Sequence, residues 1–139
     1  MAKTSNPIDA ENKYFYGVGR RKSATARAKF YQGTKELQVL VNKKPIAEYF
    51  ESYFAKTILN AIANIGILTG DIHFFINGGG ISGQAEAARL AISKAVLKSD
   101  ESYRTILRMH GYLTTDIRKV LSKKTGLRKA RKREQWSKR

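Results

Sequence analysis

Ser23-Ala24-Thr25-Ala26-Arg27-Ala28-Lys29-Phe30-Tyr31 alternates residue by residue. Ala24, Ala26, Ala28 and Phe30 fall on one side of an extended chain, and Thr25, Arg27, Lys29 and Tyr31 on the other. A period of two marks a strand with one packed face and one wet face. The packed face is built mainly from small side chains, and the wet face is basic. Upstream, the aromatic-rich stretch Tyr14 to Val18 suits a second strand. Downstream, Gln32-Gly33-Thr34 reads as a turn, after which Leu37, Val39 and Val41 alternate again as far as Asn42-Lys43-Lys44-Pro45. Three strands joined by short turns predict an antiparallel meander.

The period changes after Pro45. Tyr53, Phe54, Thr57, Ile58, Ala61, Ile62 and Ile65 recur at helical spacings, with Ser52 as the expected cap and Gly66 as the stop. Ile72 to Ile76 is a continuous apolar run, which predicts a strand covered on both faces. Three glycines, Gly78 to Gly80, separate it from an alanine-rich helix predicted over 84–98. Glu86 near the start of that helix and Lys94 and Lys98 near its end suit the helix dipole. Ala85, Ala88, Ala91 and Ala95 would let it lie close against a sheet. A third helix is expected from Glu101 to His110, capped by Ser99 or Asp100 and closed by Gly111. A short fourth is expected from Asp116 to Lys124, ahead of Gly126. Strands first, then helices with one strand among them, give an α+β fold: a single domain with a mixed sheet and helices on one face. The division expected is a flexible N-terminal lead-in over 1–13, the domain over 14–125 and an extended basic C-terminal tail over 126–139.

Charge narrows the function. The 139 residues include 27 Lys and Arg against 11 Asp and Glu, a net +16. A polyanion whose condensed counterions are released relieves such repulsion. From Asp116 onward stand Arg118, Lys119, Lys123, Lys124, Arg128, Lys129, Arg131, Lys132, Arg133, Lys138 and Arg139, against only Asp116 and Glu134. That stretch carries about half of the excess charge and lacks hydrophobic periodicity beyond Leu127, so it is expected to order only on a partner. A hydrophobic share of 42% suffices for one core. Without cysteine, disulfides, thiolate metal sites and thiol nucleophiles are excluded. No apolar run approaches the length of roughly 20 residues that spans a bilayer. The polar segment before Tyr14 reads as neither a signal nor a transit peptide.

Arg20-Arg21-Lys22, continued by Arg27 and Lys29, forms a row of phosphate donors, with Tyr16 and Tyr31 placed to stack on bases. Gly78, Gly80 and Gly83 match the dinucleotide spacing G-x-G-x-x-G, and Asp100 falls about 20 residues on. That carboxylate would have to end a second parallel strand, yet Ala91 to Lys98 continues as helix, and no Lys-Ser or Lys-Thr follows Gly83. A nucleotide cofactor is therefore rejected. The glycines keep their physical meaning: either the backbone opening the helix at Gly79, Gly80 and Gln84 approaches an RNA phosphate, or the glycines serve a structural tight turn. His73 and His110 read as a core and a helix-end histidine, and Trp136 as a group that stacks on a base. No catalytic constellation is present, so neither enzymatic activity nor a cofactor or metal is expected.

Gly17-Val18-Gly19-Arg20-Arg21-Lys22-Ser23-Ala24, then Gly78-Gly79-Gly80-Ile81-Ser82-Gly83-Gln84-Ala85, then Gly126-Leu127-Arg128-Lys129-Ala130-Arg131-Lys132 with the ending Ser137-Lys138-Arg139, occur in this order. In these stretches the chain resembles the family of small ribosomal subunit protein nine, of the bacterial and organellar type. The resemblance implies a fold like the second domain of ribosomal protein five. It implies binding to small-subunit ribosomal RNA in the head, through Arg20, Arg21, Lys22, Arg128, Lys129, Arg131 and Lys132, beside neighbouring head proteins. Arg27, Lys29, Arg118, Lys123, Lys124 and Arg133 extend that expected RNA surface on their charge alone. The resemblance further implies that Lys138 and Arg139 reach the P-site transfer RNA. The setting implied is a ribosome of the bacterial cytoplasm, or alternatively of a plastid or mitochondrion, with no membrane and no homo-oligomer. The chain departs from the family at Glu134-Gln135-Trp136, where Pro-Gln-Phe is usual; this frees a φ angle and adds repulsion near phosphate.

Overall fold

The computed structural model describes residues 14–138. The lead-in expected over 1–13 and the terminal Arg139 lie outside the described residues.

Strands β1 (Tyr14–Arg21) and β2 (Ala24–Glu36) form a long antiparallel hairpin. Strands β3 (Gln38–Val41) and β4 (Lys44–Pro45) follow, then α1 (Ile46–Tyr49), α2 (Ser52–Ile65), β5 (Thr69–Asn77) and α3 (Ile81–Ser99). A 3₁₀ turn at Glu101–Tyr103 leads into α4 (Arg104–Met109). The five strands make one mixed sheet in the order β1-β2-β5-β3-β4. The fold is thus a single α+β domain, as expected.

The meander is not. Strand β5 lies between β2 and β3, antiparallel to the first and parallel to the second. Gln32-Gly33-Thr34 is not a turn but part of β2, which continues to Glu36 through an irregularity in its pairing between Tyr31 and Glu36. There the chain passes Gly70, where an added Cβ would meet Tyr31 O. That irregularity carries the chain across the end of β5, and only Leu37 separates β2 from β3.

One face of the sheet is packed. Ala24, Ala26, Ala28 and Phe30 of β2 join Ile72, Phe74 and Ile76 of β5 and Val41 of β3 beneath α2 and α3. Burial along β5 alternates, with His73 and Phe75 only half-buried, so this strand is central in the sheet but covered by helices on one face, not two. Helix α3 lies directly on β1 and β2 because both sides are small: Cβ atoms built at Gly17 and Gly19 would run into the α3 backbone at Ala91 and Ala87. Buried Ala87, Ala88, Ala91 and Ala95 complete that contact. Helix α2 packs its Ile58, Ile62 and Ile65 into the same core. Each such side chain contributes about 1.5–3 kcal/mol of transfer free energy.

Helix boundaries shift from those expected. Glu51, not Ser52, occupies the cap position of α2, and Gly66 ends it at φ +82°. Helix α3 begins at Ile81 instead of residue 84, so Glu86 stands in its second turn and no acidic side chain lies in its first. Asp100 caps the next segment, accepting a hydrogen bond from the Ser102 backbone N–H at 2.8 Å. The expected fourth helix at 116–124 is absent, since residues 114–124 carry no helix or strand. Ile117 and Val120, the stripe that would have faced the core, are 85% and 94% exposed. With no apolar surface to meet, so short a helix has nothing to stabilise it.

Candidate nucleic-acid interface

Two motifs that are about 55 residues apart in sequence meet in space. The hairpin β1–β2 turns at Lys22-Ser23, where Lys22 takes a left-handed φ of +52°. Directly behind it lies the glycine loop between β5 and α3. Gly78 and Gly79 adopt φ of +73° and +65°. A Cβ at Gly78 would stand 2.8 Å from Ser23 O, and one at Gly79 2.7 Å from Ala24 N. The loop can pass so close only as glycine. The exposed Lys22 and Ser23 therefore sit beside the glycine loop and first turn of α3, whose free backbone N–H groups are uncompensated by any acidic residue.

A hydrogen-bonded chain fixes the loop. Asn42, at φ +48°, donates from Nδ2 to Ile76 O at 3.0 Å and accepts from the Ile76 N–H at 2.9 Å. Its Nδ2 also reaches Tyr49 Oη at 3.4 Å, and that hydroxyl donates to Gln84 Oε1 at 3.2 Å. Gln84 Nε2 then donates to Gly78 O at 3.1 Å. Gln84, expected to face RNA, thus spends its amide on holding Gly78, while Gly79 and Gly80 stay exposed.

The three basic residues of the turn differ in what they touch. Arg21 is largely enclosed, with its side chain 17% exposed. Its Nε donates to Glu86 Oε2 at 2.6 Å, and its Nη1 lies 3.1 Å from Asp116 Oδ2. Asp116 in turn accepts from Arg118 Nε and Nη2 at 3.0 and 2.7 Å, and from the Arg118 backbone N–H at 2.8 Å. Those Arg118 donors hold the Asp116 carboxyl down at about 2, well below its ordinary 3.8, with the Arg21 charge helping. The alternation Glu86–Arg21–Asp116–Arg118 pins the start of the C-terminal segment to the hairpin. Between them the hairpin and this segment enclose a cleft of about 550 Å³, lined by Arg20, Arg21, Lys22, Thr25, Thr115, Asp116 and Lys119.

Arg27 is exposed on the face of the sheet away from the helices. The Lys29 ammonium lies 4.6 Å from the Tyr14 ring centroid and 5.7 Å from that of Phe75. Tyr31 is not available for base stacking. It is 3% exposed, packed against Tyr14 and His73 at centroid distances of 5.6 and 5.2 Å. Period-two parity places it on the face away from the helices, as its pairing with Tyr14 and Asp71 shows, but the rings of Tyr14 and His73 crowd it there. His110 caps α4 and stacks on Tyr112 at 5.3 Å. Lys123, Lys124, Arg128, Lys129, Arg131, Lys132, Arg133 and Lys138 are all exposed, and so is Trp136. Arg128 Nε lies 3.9 Å from Glu134 Oε1, and its backbone N–H donates to Lys132 O at 2.7 Å.

A family model described as ribosomal protein S9/S16 matches residues 19–139, a span that begins within β1 and takes in the hairpin turn and the glycine loop. The chain belongs to this family. It is accordingly a protein of the small ribosomal subunit, working in the ribosome with RNA and other ribosomal proteins around it. As a family member the chain presents its basic turn and glycine loop as one surface, which sequence reading had treated as two motifs. Sequence reading missed the part played by Glu86 and Asp116 as the acids that hold Arg21. The available signal was Asp116 itself, an isolated carboxylate two residues before Arg118 in an otherwise basic segment. It missed Asn42 and Tyr49 altogether, because a hydrogen-bonded relay across three elements leaves no local pattern.

Proposed function

We propose that the domain binds small-subunit ribosomal RNA in the head, and that the tail over 126–139 reaches the P-site transfer RNA. The convergence of Lys22 with the N-terminus of α3 on a rigid glycine loop, beside the cleft that Arg20 lines, carries this reading. Cations and oriented N–H groups on one small surface suit a phosphate, and Gly79 and Gly80 present backbone that no side chain shields. Arg27 and Lys29 continue the positive row along β2. Arg118, Lys123, Lys124, Arg128, Lys129, Arg131, Lys132 and Arg133 add a salt-dependent attraction that needs no fixed geometry. Arg21 serves this site mainly from behind, by tying the C-terminal segment to it.

The 14 residues of the tail can span up to about 45 Å when extended, enough for Lys138 and Arg139 to act far from the folded surface. Contacts of this kind grip the backbone without reading sequence, which suits a site that accepts every transfer RNA. The reading requires no cofactor, no membrane and no second copy of the chain. Ultraviolet crosslinking followed by sequencing of the bound RNA tests it. Expected are crosslinks from the hairpin turn to small-subunit RNA of the head and from the tail to anticodon stems. Deleting Lys138 and Arg139 should weaken P-site transfer RNA binding while subunits still incorporate the protein. Truncated subunits that hold transfer RNA as tightly as complete ones at moderate salt would refute the role of the tip.

A further inference from the structure

Among the described residues no helix packs on the face of the sheet turned away from α2 and α3, and the side chains of that face form ordered rows. Strand register places Tyr16 opposite Lys29, Lys29 opposite His73 and His73 opposite Leu40. The next row runs Val18, Arg27, Phe75, and the one after it Arg20, Thr25, Asn77. Partners within a row stand about 5 Å apart, and rows about 7 Å apart along a strand. Tyr16 is 38% exposed, with the Lys98 ammonium of α3 5.9 Å from its ring centroid, while Phe75 and His73 are half-buried. Arg20 and Arg27 are exposed, and among the described residues neither makes a salt bridge or side-chain hydrogen bond. Lys29 stands between the rings with its ammonium 5.7 Å from the Phe75 centroid. The acids among the described strand residues on this face, Asp71 beside Tyr31 and Glu36 beside Thr69, lie toward its far end.

We infer that this face is a binding platform for an unpaired RNA strand, with Phe75 and Tyr16 stacking on bases and Arg20, Arg27 and Lys29 meeting the phosphates. The inference rests on the RNA-binding reading above and specifies which form of RNA this face takes. Positive charge selects a polyanion. A duplex would satisfy the cations yet leave the rings facing a sugar-phosphate backbone, whereas unpaired bases offer a ring face for each. Rows about 7 Å apart along each strand also offer ring and cation sites at regular steps across β1, β2 and β5, as an extended single strand requires.

Two measurements on the full-length chain test this. Affinities are compared for a 12-nucleotide oligouridine and for an RNA duplex of the same length, using wild type, Phe75→Ala, Tyr16→Ala and Phe75→Tyr. Each alanine substitution is expected to weaken oligouridine binding about ten-fold, with duplex affinity within about two-fold of wild type and Phe75→Tyr close to wild type. Separately, ultraviolet crosslinking of wild type to oligouridine, read by mass spectrometry, should place uridine on Tyr16 or Phe75; this readout stands even where an alanine variant fails to fold. Unchanged oligouridine affinity in both alanine variants, or crosslinks confined to the hairpin turn and tail, overturns the platform and leaves RNA binding itself intact. Wild type that binds neither RNA overturns both readings.

Discussion

Gly19→Ala puts the close packing of α3 on β1 to the test. An alanine Cβ at this position would collide with Ala87 O and stand 2.7 Å from Ala91 N, both in the backbone of α3. No rotamer can relieve a clash between a Cβ and a main chain. Comfortable carbon-to-oxygen approaches are about 3.3 Å or longer, so α3 must retreat from β1 by roughly an ångström. Forcing a methyl into a packed interior costs about 1–3 kcal/mol, and two backbone obstacles place this case in the upper part of that range. Against it stands the stiffer unfolded chain, a gain of about 0.4–1 kcal/mol for Gly to Ala at an unstrained φ. The net expectation is a loss of about 2 kcal/mol, or about 8 °C in Tm for a domain of this size. Urea unfolding followed by circular dichroism gives the free energy, and a scan gives Tm. Gly33→Ala is the internal control, because its nearest neighbour would be Gly70 Cα at 3.8 Å; it should stay within about 0.5 kcal/mol of wild type. The retreat would also part Glu86 from Arg21, so Gly19→Ala should weaken RNA binding beyond its stability loss. A Gly19→Ala protein as stable as the control would refute so close a contact between α3 and β1.

Asn42→Ala removes two hydrogen bonds to the Ile76 backbone and leaves alanine at φ +48°; chemical denaturation should show a loss of about 2–3 kcal/mol, with Asn42→Gly recovering the backbone part. Because the Asp116 carboxyl sits at about 2 in the folded protein against an ordinary 3.8, its contribution to stability is complete above about pH 4 and disappears as pH falls towards 2. Wild type and Asp116→Asn should therefore differ in stability near neutrality and converge by pH 2 in acid titrations. Removing residues 126–139 takes away Arg128, Lys129, Arg131, Lys132, Arg133, Lys138 and Arg139. The slope of log affinity for single-stranded RNA against log salt should then fall by up to about 5, and an unchanged slope would mean that the tail does not meet phosphate.

The inner face of β2, the helix α2 and the small-residue side of α3 were legible because each is a local period facing one surface. Strand order was not. The crossing from β2 to β3 depends on how far β2 runs before its pairing breaks, and nothing in Gln32-Gly33-Thr34 distinguishes a turn from an irregular strand passing close to Gly70. Ile117, Val120 and Leu121 show the opposite failure: a helical spacing is present, but the domain offers no apolar surface to receive it. At the candidate site, Arg20 and Lys22 could be read from charge alone. That Arg21 differs from them could not, because its carboxylate partners come from positions 86 and 116, on elements whose juxtaposition only the fold supplies.

That difference resolves how a chain of net +16 keeps a compact hairpin among so many cations. Arg20, Arg21, Lys22, Arg118 and Lys119 crowd one end of the sheet, where their mutual repulsion opposes folding. Two carboxylates stand there, Glu86 and Asp116, each against the enclosed Arg21. Arg21 and Arg118 are thereby neutralised within the protein, and the exposed Arg20 and Lys22 keep their charge for an external anion. The same pairing decides where the C-terminal segment leaves the domain, since Asp116 ties it to the hairpin turn. On the proposed function, folding and RNA binding draw on separate cations at one site. Replacing Glu86 or Asp116 should accordingly disturb stability and tail placement first, whereas replacing Arg20 or Lys22 should weaken RNA binding while leaving the fold intact.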